Sequence, residues 1–212
     1  MSEVSMQQQE KVPVSVTVLI LVLVVANITM GVLTVRKYTA KEPTVAPEVA
    51  RVKSFMEQVN KNPADVNARL QLAYALQTMN EYEKAREQYM EVLKIEKNNL
   101  AANYNLGVIA QEEEKYAEAE KYYKKALDLK ANHVIAAIGL GETYLAQGKY
   151  GEVIKVADKV LKPEPDKADL HLLKARAYEK MGDKAKAKEQ YQEVLKFVPD
   201  DPDATAGLEK LK

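Results

Sequence analysis

VNARLQLAYALQTMNEYEKAREQYMEVLKIEKNN, residues 66–99, is followed without a gap by LAANYNLGVIAQEEEKYAEAEKYYKKALDLKANH, residues 100–133. VIAAIGLGETYLAQGKYGEVIKVADKVLKPEPDK (134–167) and ADLHLLKARAYEKMGDKAKAKEQYQEVLKFVPDD (168–201) complete four rows of 34. A fixed period of this size marks a solenoid, whose units bury their apolar faces only against one another. The columns carry physical content. Column 7 holds Leu72, Leu106 and Leu140, and column 8 holds Ala73, Gly107, Gly141 and Ala175. A large apolar residue beside a very small one lets a neighbouring helix approach closely. Columns 20, 24 and 27 hold Ala85, Ala119, Val153 and Ala187, then Tyr89, Tyr123, Ala157 and Tyr191, then Val92, Ala126, Val160 and Val194. This i, i+4, i+7 spacing places them on one helix face. Asn80, Gly148 and Gly182 at column 15 separate two helices per row as C-terminal caps do.

These rows resemble the tetratricopeptide repeat family, whose pattern asks for Trp-x2-Leu-Gly-x2-Tyr, then Ala-x3-Phe, then Pro. Leu106-Gly107, Leu140-Gly141, Tyr144, Tyr178, Ala119 with Tyr123, Pro165 and Pro199 match it. The family's Trp at column 4 is replaced by Arg69, Asn103, Ala137 and His171, and its Pro at column 32 by Lys97 and Ala131 in the first two rows. The fold expected is all-α: an α-solenoid of four helix pairs (66–99, 100–133, 134–167, 168–201) with a capping helix at each end. Residues 48–62 supply the N-terminal cap, with Val49, Val52, Phe55, Met56 and Val59 as its apolar stripe. Residues 202–212 supply the C-terminal cap, with Asp201 as N-cap and Pro202 at the first helical position.

Ahead of the repeats, residues 1–13 read as a disordered tail. Residues 14–35, VSVTVLILVLVVANITMGVLTV, carry no charge. As a helix they extend about 33 Å, enough to cross a hydrocarbon core of about 30 Å. One N-terminal transmembrane helix is therefore expected. A cleaved signal peptide would want a basic start, a shorter apolar core and a small-residue site. Lys11 stands against Glu3 and Glu10, and the run continues well past Ala26. Arg36, Lys37, Lys41, Arg51 and Lys53 follow the span, whereas only Lys11 precedes it, which puts the repeats on the cytoplasmic side. Asn27 and Gly31 are four apart and could form a face for self-association. Residues 36–47, with two prolines, read as a stiff linker.

The 31 basic and 31 acidic residues balance, so no global field draws the chain to nucleic acid. The absence of Cys excludes disulfides, thiol catalysis and Cys-based zinc sites. His133 and His171 lack ligands at metal spacing and read as solvated or groove-lining. Glu112, Glu113 and Glu114 read as a solvated charge run. No nucleophile–base grouping, phosphate loop, metal site or cofactor site emerges, so the chain does not read as an enzyme.

The resemblance implies that the first helix of each pair lines a concave groove through columns 2, 5, 6, 9, 12 and 13. Here these give Leu70, Gln71, Tyr74 and Gln77; Tyr104, Asn105, Val108 and Gln111; Ile135, Ile138, Glu142 and Leu145; and Leu172, Leu173, Arg176 and Lys180. Leu172 and Leu173 also suit packing between rows. The surface is apolar and aromatic with a basic end at Arg176 and Lys180, suited to a peptide or helix bearing apolar anchors and an acidic group. Family members that clamp acidic chaperone tails need Lys and Asn where Leu70, Tyr74, Ile135 and Gly139 stand; only Asn105 matches, so that role is not expected. The function implied is a membrane-anchored scaffold that binds protein clients. The alternatives are an accessory role in c-type cytochrome maturation or envelope assembly with the repeats outside, and a self-associating structural role.

Overall fold

A computed structural model describes residues 47–212; the expected span at 14–35 lies outside the described residues. Among those described, no helix is long and apolar enough to cross a membrane. They form ten helices and no strand. In chain order these are α1 Pro47–Lys61, α2 Val66–Thr78, α3 Tyr82–Ile95, α4 Leu100–Glu112 and α5 Tyr116–Leu129. There follow α6 Val134–Ala146, α7 Tyr150–Leu161, α8 Ala168–Met181, α9 Lys184–Phe197 and α10 Pro202–Lys210. Pro47, assigned from sequence to the linker, is instead the first residue of α1, a position where its missing N–H is no loss.

Each row forms an antiparallel helix pair, and each second helix also packs on the first helix of the next row. The first helices additionally touch one another, α2 on α4, α4 on α6 and α6 on α8, while the second helices reach the next row mainly through its first helix. The row of first helices therefore follows the shorter, inner arc.

Local chemistry sets the helix ends. The side chains of Asp65, Asn99, Asp183 and Asp201 accept hydrogen bonds from backbone N–H groups three residues on. In the same alignment column as Asp65, Asn99 and Asp201, His133 does this for α6: its Nδ1 accepts from the Ala136 N–H at 3.2 Å. Burial, with Lys130 adding, lowers the His133 pKa and keeps that nitrogen free to accept. At column 15, Asn80, Gly148 and Gly182 adopt positive φ, and so does Glu114 at 57°. Glu114 is thus a cap in left-handed conformation, which its charge run concealed.

Columns 20, 24 and 27 form the core, every member no more than 3 % exposed. A buried tyrosine needs a hydrogen-bond partner, and column 12 provides it. The Tyr89, Tyr123 and Tyr191 hydroxyls donate to Gln77, Gln111 and Glu179, each at 2.9 Å. In the third row both positions are apolar, Ala157 and Leu145. Tyr123 and Tyr191 also need space at column 6 of the following row, where Tyr89 is followed by Asn105. A Cβ on Gly139 would lie 2.6 Å from Tyr123 Cζ, and one on Gly207 would overlap the Tyr191 ring. After Ala157 that column carries Leu173, which fills the room instead and rests against Gly141. Leu173 is 3 % exposed and belongs to the core, not to the groove.

Column 4 carries a strut in the outer rows. Arg69 donates through Nε to the Pro63 carbonyl at 2.7 Å and through Nη1 to Gln88 Oε1 at 2.9 Å. His171 meets the equivalent pair, Pro165 O through Nε2 and Gln190 Oε1 through Nδ1, both at 3.0 Å. The two rows without such a strut lack both the proline and the glutamine. His171 is therefore structural rather than solvated or groove-lining. His171→Arg is expected to keep the wild-type melting temperature, and His171→Ala to lose about 1 kcal/mol in chemical denaturation.

Ion pairs staple successive rows. Arg86 on α3 and Lys115 hold Glu113 at the end of α4, Lys149 reaches Glu120 on α5 at 2.8 Å, and Lys210 on α10 holds Glu179 on α8. Burial alone would raise the Glu113 pKa, but Arg86 and Lys115 overcome it and hold the carboxyl below its ordinary 4.5. Lys124 and Lys149 do the same for Glu120, and Lys210, with the Tyr191 hydroxyl, for Glu179. Carboxyls lowered on folding stabilise above their unfolded pKa, and that contribution disappears as pH falls through the folded value. Denaturation midpoints are expected to drop as acidity passes below about pH 4.5, the unperturbed value. Glutamine at 113, 120 and 179 together should flatten that part of the profile.

Candidate binding groove

The inner face displays what the first helices do not bury. Tyr74 and Ile135 remain 55 % and 52 % exposed. Between α4 and α6 the surface sinks into a pocket of about 260 Å³ lined by Tyr104, Val108, Gln111, Ile138 and Glu142. Ile135, Glu112, Gly139 and Tyr123 complete it. The bare Gly139 backbone opens the floor and makes room for the Tyr123 ring, which lies buried beneath it.

The polar groups of this pocket are chained together. The Tyr123 hydroxyl donates to Gln111 Oε1, and Gln111 Nε2 donates to Glu142 Oε2 at 3.2 Å. Burial pushes the Tyr123 phenol well above its usual pKa, with Tyr104, Glu142 and Glu112 adding to the shift. Burial and then Glu142 raise that of Tyr104. The Tyr104 ring stands tilted between Tyr123 and His133, at centroid distances of 6.0 and 5.6 Å.

A second depression of about 370 Å³ lies against the C-terminal cap, lined by Leu145, Arg176, Lys180, Glu179, Tyr191, Asp203, Gly207 and Lys210, with Ala206. The basic end expected there is largely neutralised. Arg176 pairs with Asp203 at 2.5 Å and Lys210 pairs with Glu179, leaving Lys180 without an ion pair among the described residues.

Of the other residues assigned to the groove, Leu70 is half-buried against the first-row core, and Gln77 is committed to Tyr89. Asn105 turns back on its own helix, Nδ2 donating to the Ala101 carbonyl at 2.9 Å. The structure thus gathers Tyr104, Val108, Gln111, Ile138 and Glu142 into one pocket and Leu145, Arg176 and Lys180 into another. Leu70, Tyr74, Gln77 and Asn105 lie in neither. Glu112 and Glu179 escaped the sequence reading, the first inside an acidic run and the second as the column-12 member of the last row. The repeat frame itself could have found Glu179, beneath Gln77 and Gln111. Among the described residues no three His, Cys, Asp or Glu side chains converge to hold a metal ion.

Known proteins add the following. Tetratricopeptide repeat models match residues 70–134, 110–176 and 144–211, together more than half of the chain. A search of curated proteins finds no match. Among solved structures, YrrB, "a TPR protein with an unusual peptide-binding site", superposes with a TM-score of 0.64 at 19% identity. That alignment covers 76% of this chain and 82% of YrrB. MamA from Desulfovibrio magneticus aligns at 21% identity and TM-score 0.63, over 69% of this chain and 82% of its own. A repeat protein from Parabacteroides merdae aligns at 18% identity and TM-score 0.70, over 77% and 65% respectively. These likenesses are of fold. The family is one of protein–protein interaction scaffolds, and with its period, helix pairs and packing columns this chain belongs to the tetratricopeptide repeat family.

Proposed function

We propose that the chain holds a peptide or helical segment of a client protein along its inner face, and that residues 14–35 confine this scaffold to a membrane. The observation that carries the binding reading is the inner face itself. Tyr74 and Ile135 are more than half exposed, and Tyr104, Val108 and Ile138 line an adjoining pocket. Large apolar groups left unburied on one face of a rigid solenoid mark a preformed contact surface. Anchoring would raise the local concentration of membrane-bound clients around it.

The test compares the full chain with Tyr74→Ala/Tyr104→Ala in crosslinking and co-purification, alongside thermal melts. Loss of captured proteins at an unchanged melting temperature supports groove binding. An unchanged captured set would sink it. Protease accessibility of the repeats in intact cells against inverted vesicles tests the anchor and its orientation: cleavage in inverted vesicles alone corresponds to repeats on the cytoplasmic side. Release of the whole chain into the soluble fraction would remove the anchor from the reading.

A further inference from the structure

We infer that the pocket between α4 and α6 takes a lysine or arginine side chain of the bound segment, an inference that rests on the groove reading above. The decisive feature is which charges the fold leaves uncompensated. At the cap end of the groove, α10 brings Asp203 onto Arg176 and Lys210 onto Glu179. In the middle of the groove, Glu112 has no ion pair among the described residues, and Glu142 has only the Gln111 amide. No cation lines that pocket. Glu112 and Glu142 both add to the raised pKa of Tyr123, so the fields of both carboxylates reach the pocket floor.

Hydrogen bonding points the same way. The Tyr123 hydroxyl and the Gln111 amide, donors that an anionic guest would need, are already spent on Gln111 and Glu142. What the rim offers freely is carboxylate oxygen, an acceptor. The walls fit the rest of a basic side chain. Val108, Ile135 and Ile138 would cover an aliphatic stem, and Tyr104 puts an aromatic ring in the pocket wall for a cation to meet. A guanidinium would additionally stack flat on that ring. The volume, about 260 Å³, falls below the range of about 300–1,000 Å³ of small-molecule sites. It suits one side chain. The chemistry is opposite to the acidic guest expected from Arg176 and Lys180 alone.

The experiment selects a random-peptide display library on the full chain held in detergent, then measures synthetic copies of the selected peptides by fluorescence anisotropy. The expected result is enrichment of Lys or Arg beside apolar residues. Binding of such a peptide should weaken about tenfold on Glu112→Gln/Glu142→Gln, and it should weaken as salt is raised. Replacing the peptide's basic residue by methionine should cost a similar factor and leave the double variant with nothing further to lose. Both glutamates are exposed, and an unchanged circular dichroism melt confirms that the variant folds. Peptides without basic enrichment that bind the double variant as well as the wild type, yet are lost with Tyr74→Ala/Tyr104→Ala, would overturn the cation site and leave the groove reading standing. Selected peptides insensitive to the tyrosine pair, or no enrichment at all, would overturn both.

Discussion

Replacing Gly107 and Gly139 together by alanine is expected to destabilise the solenoid by about 3–5 kcal/mol, more than the two single changes added. Tyr123 lies between these glycines. A Cβ on Gly107 would stand 2.7 Å from its Cδ1, and one on Gly139 would stand 2.6 Å from its Cζ. With either glycine intact the ring can lean towards the remaining gap. Tyr191, between Ala175 and Gly207, shows the arrangement with one glycine. With both gaps closed, the Tyr123 ring as it is seated here has no gap to lean into, because protein interiors are packed to near-crystalline density. The first row, with Ala73 and Asn105 in these columns, buries Tyr89 without either glycine. Chemical denaturation of the wild type, both single variants and the double variant measures the coupling. Strict additivity would show that the ring moves freely and that the glycines are not spacers for it.

The largest single-site effect is expected from Ala157→Tyr, at about 3 kcal/mol or more. A tyrosine there overlaps Leu173, which occupies the column-6 position of the next row, and its hydroxyl meets Leu145 rather than an acceptor. Adding Leu173→Gly and Leu145→Gln supplies the space and the hydrogen-bond partner that the second row already has in Gly139 and Gln111. The triple variant is expected to return to within about 1 kcal/mol of wild type. Recovery tests whether columns 6, 12 and 24 act as one interlocking set across row boundaries. If the triple variant is no more stable than Ala157→Tyr alone, the third interface obeys a different packing rule from its neighbours.

Both expectations use packing that is only half legible in the chain. The buried tyrosines stand out as column 24 on an apolar face, and 3.6-residue periodicity assigns them to the core. Their need for Gly139 and Gly207 does not stand out, because those residues lie in a different column of the following row. Leu173 shows the consequence. By column it belongs with the groove residues, yet the small Ala157 preceding it draws it into the core. The histidines behave likewise. His133 caps α6 beneath a column of Asp and Asn, a pattern visible in the rows. His171 copies Arg69 only when Pro165 and Gln190, six residues before and nineteen after, are brought to the same point.

The period of 34, the helix pairs and the core columns 20, 24 and 27 were determined by sequence alone. Each is a short-range pattern of side-chain size and polarity repeated four times, and every repetition reinforces the same reading. Only the tertiary structure decided which charges remain available in the groove. Arg176 and Lys180 look like a basic end until α10 folds back and sets Asp203 against Arg176, 27 residues along the chain. Lys210 similarly takes Glu179, 31 residues away. Periodicity says where a side chain sits on its own helix. It does not say whether a neighbouring helix brings the opposite charge to meet it, and that pairing leaves Glu112 and Glu142 as the exposed, uncompensated charges at the centre of the inner face.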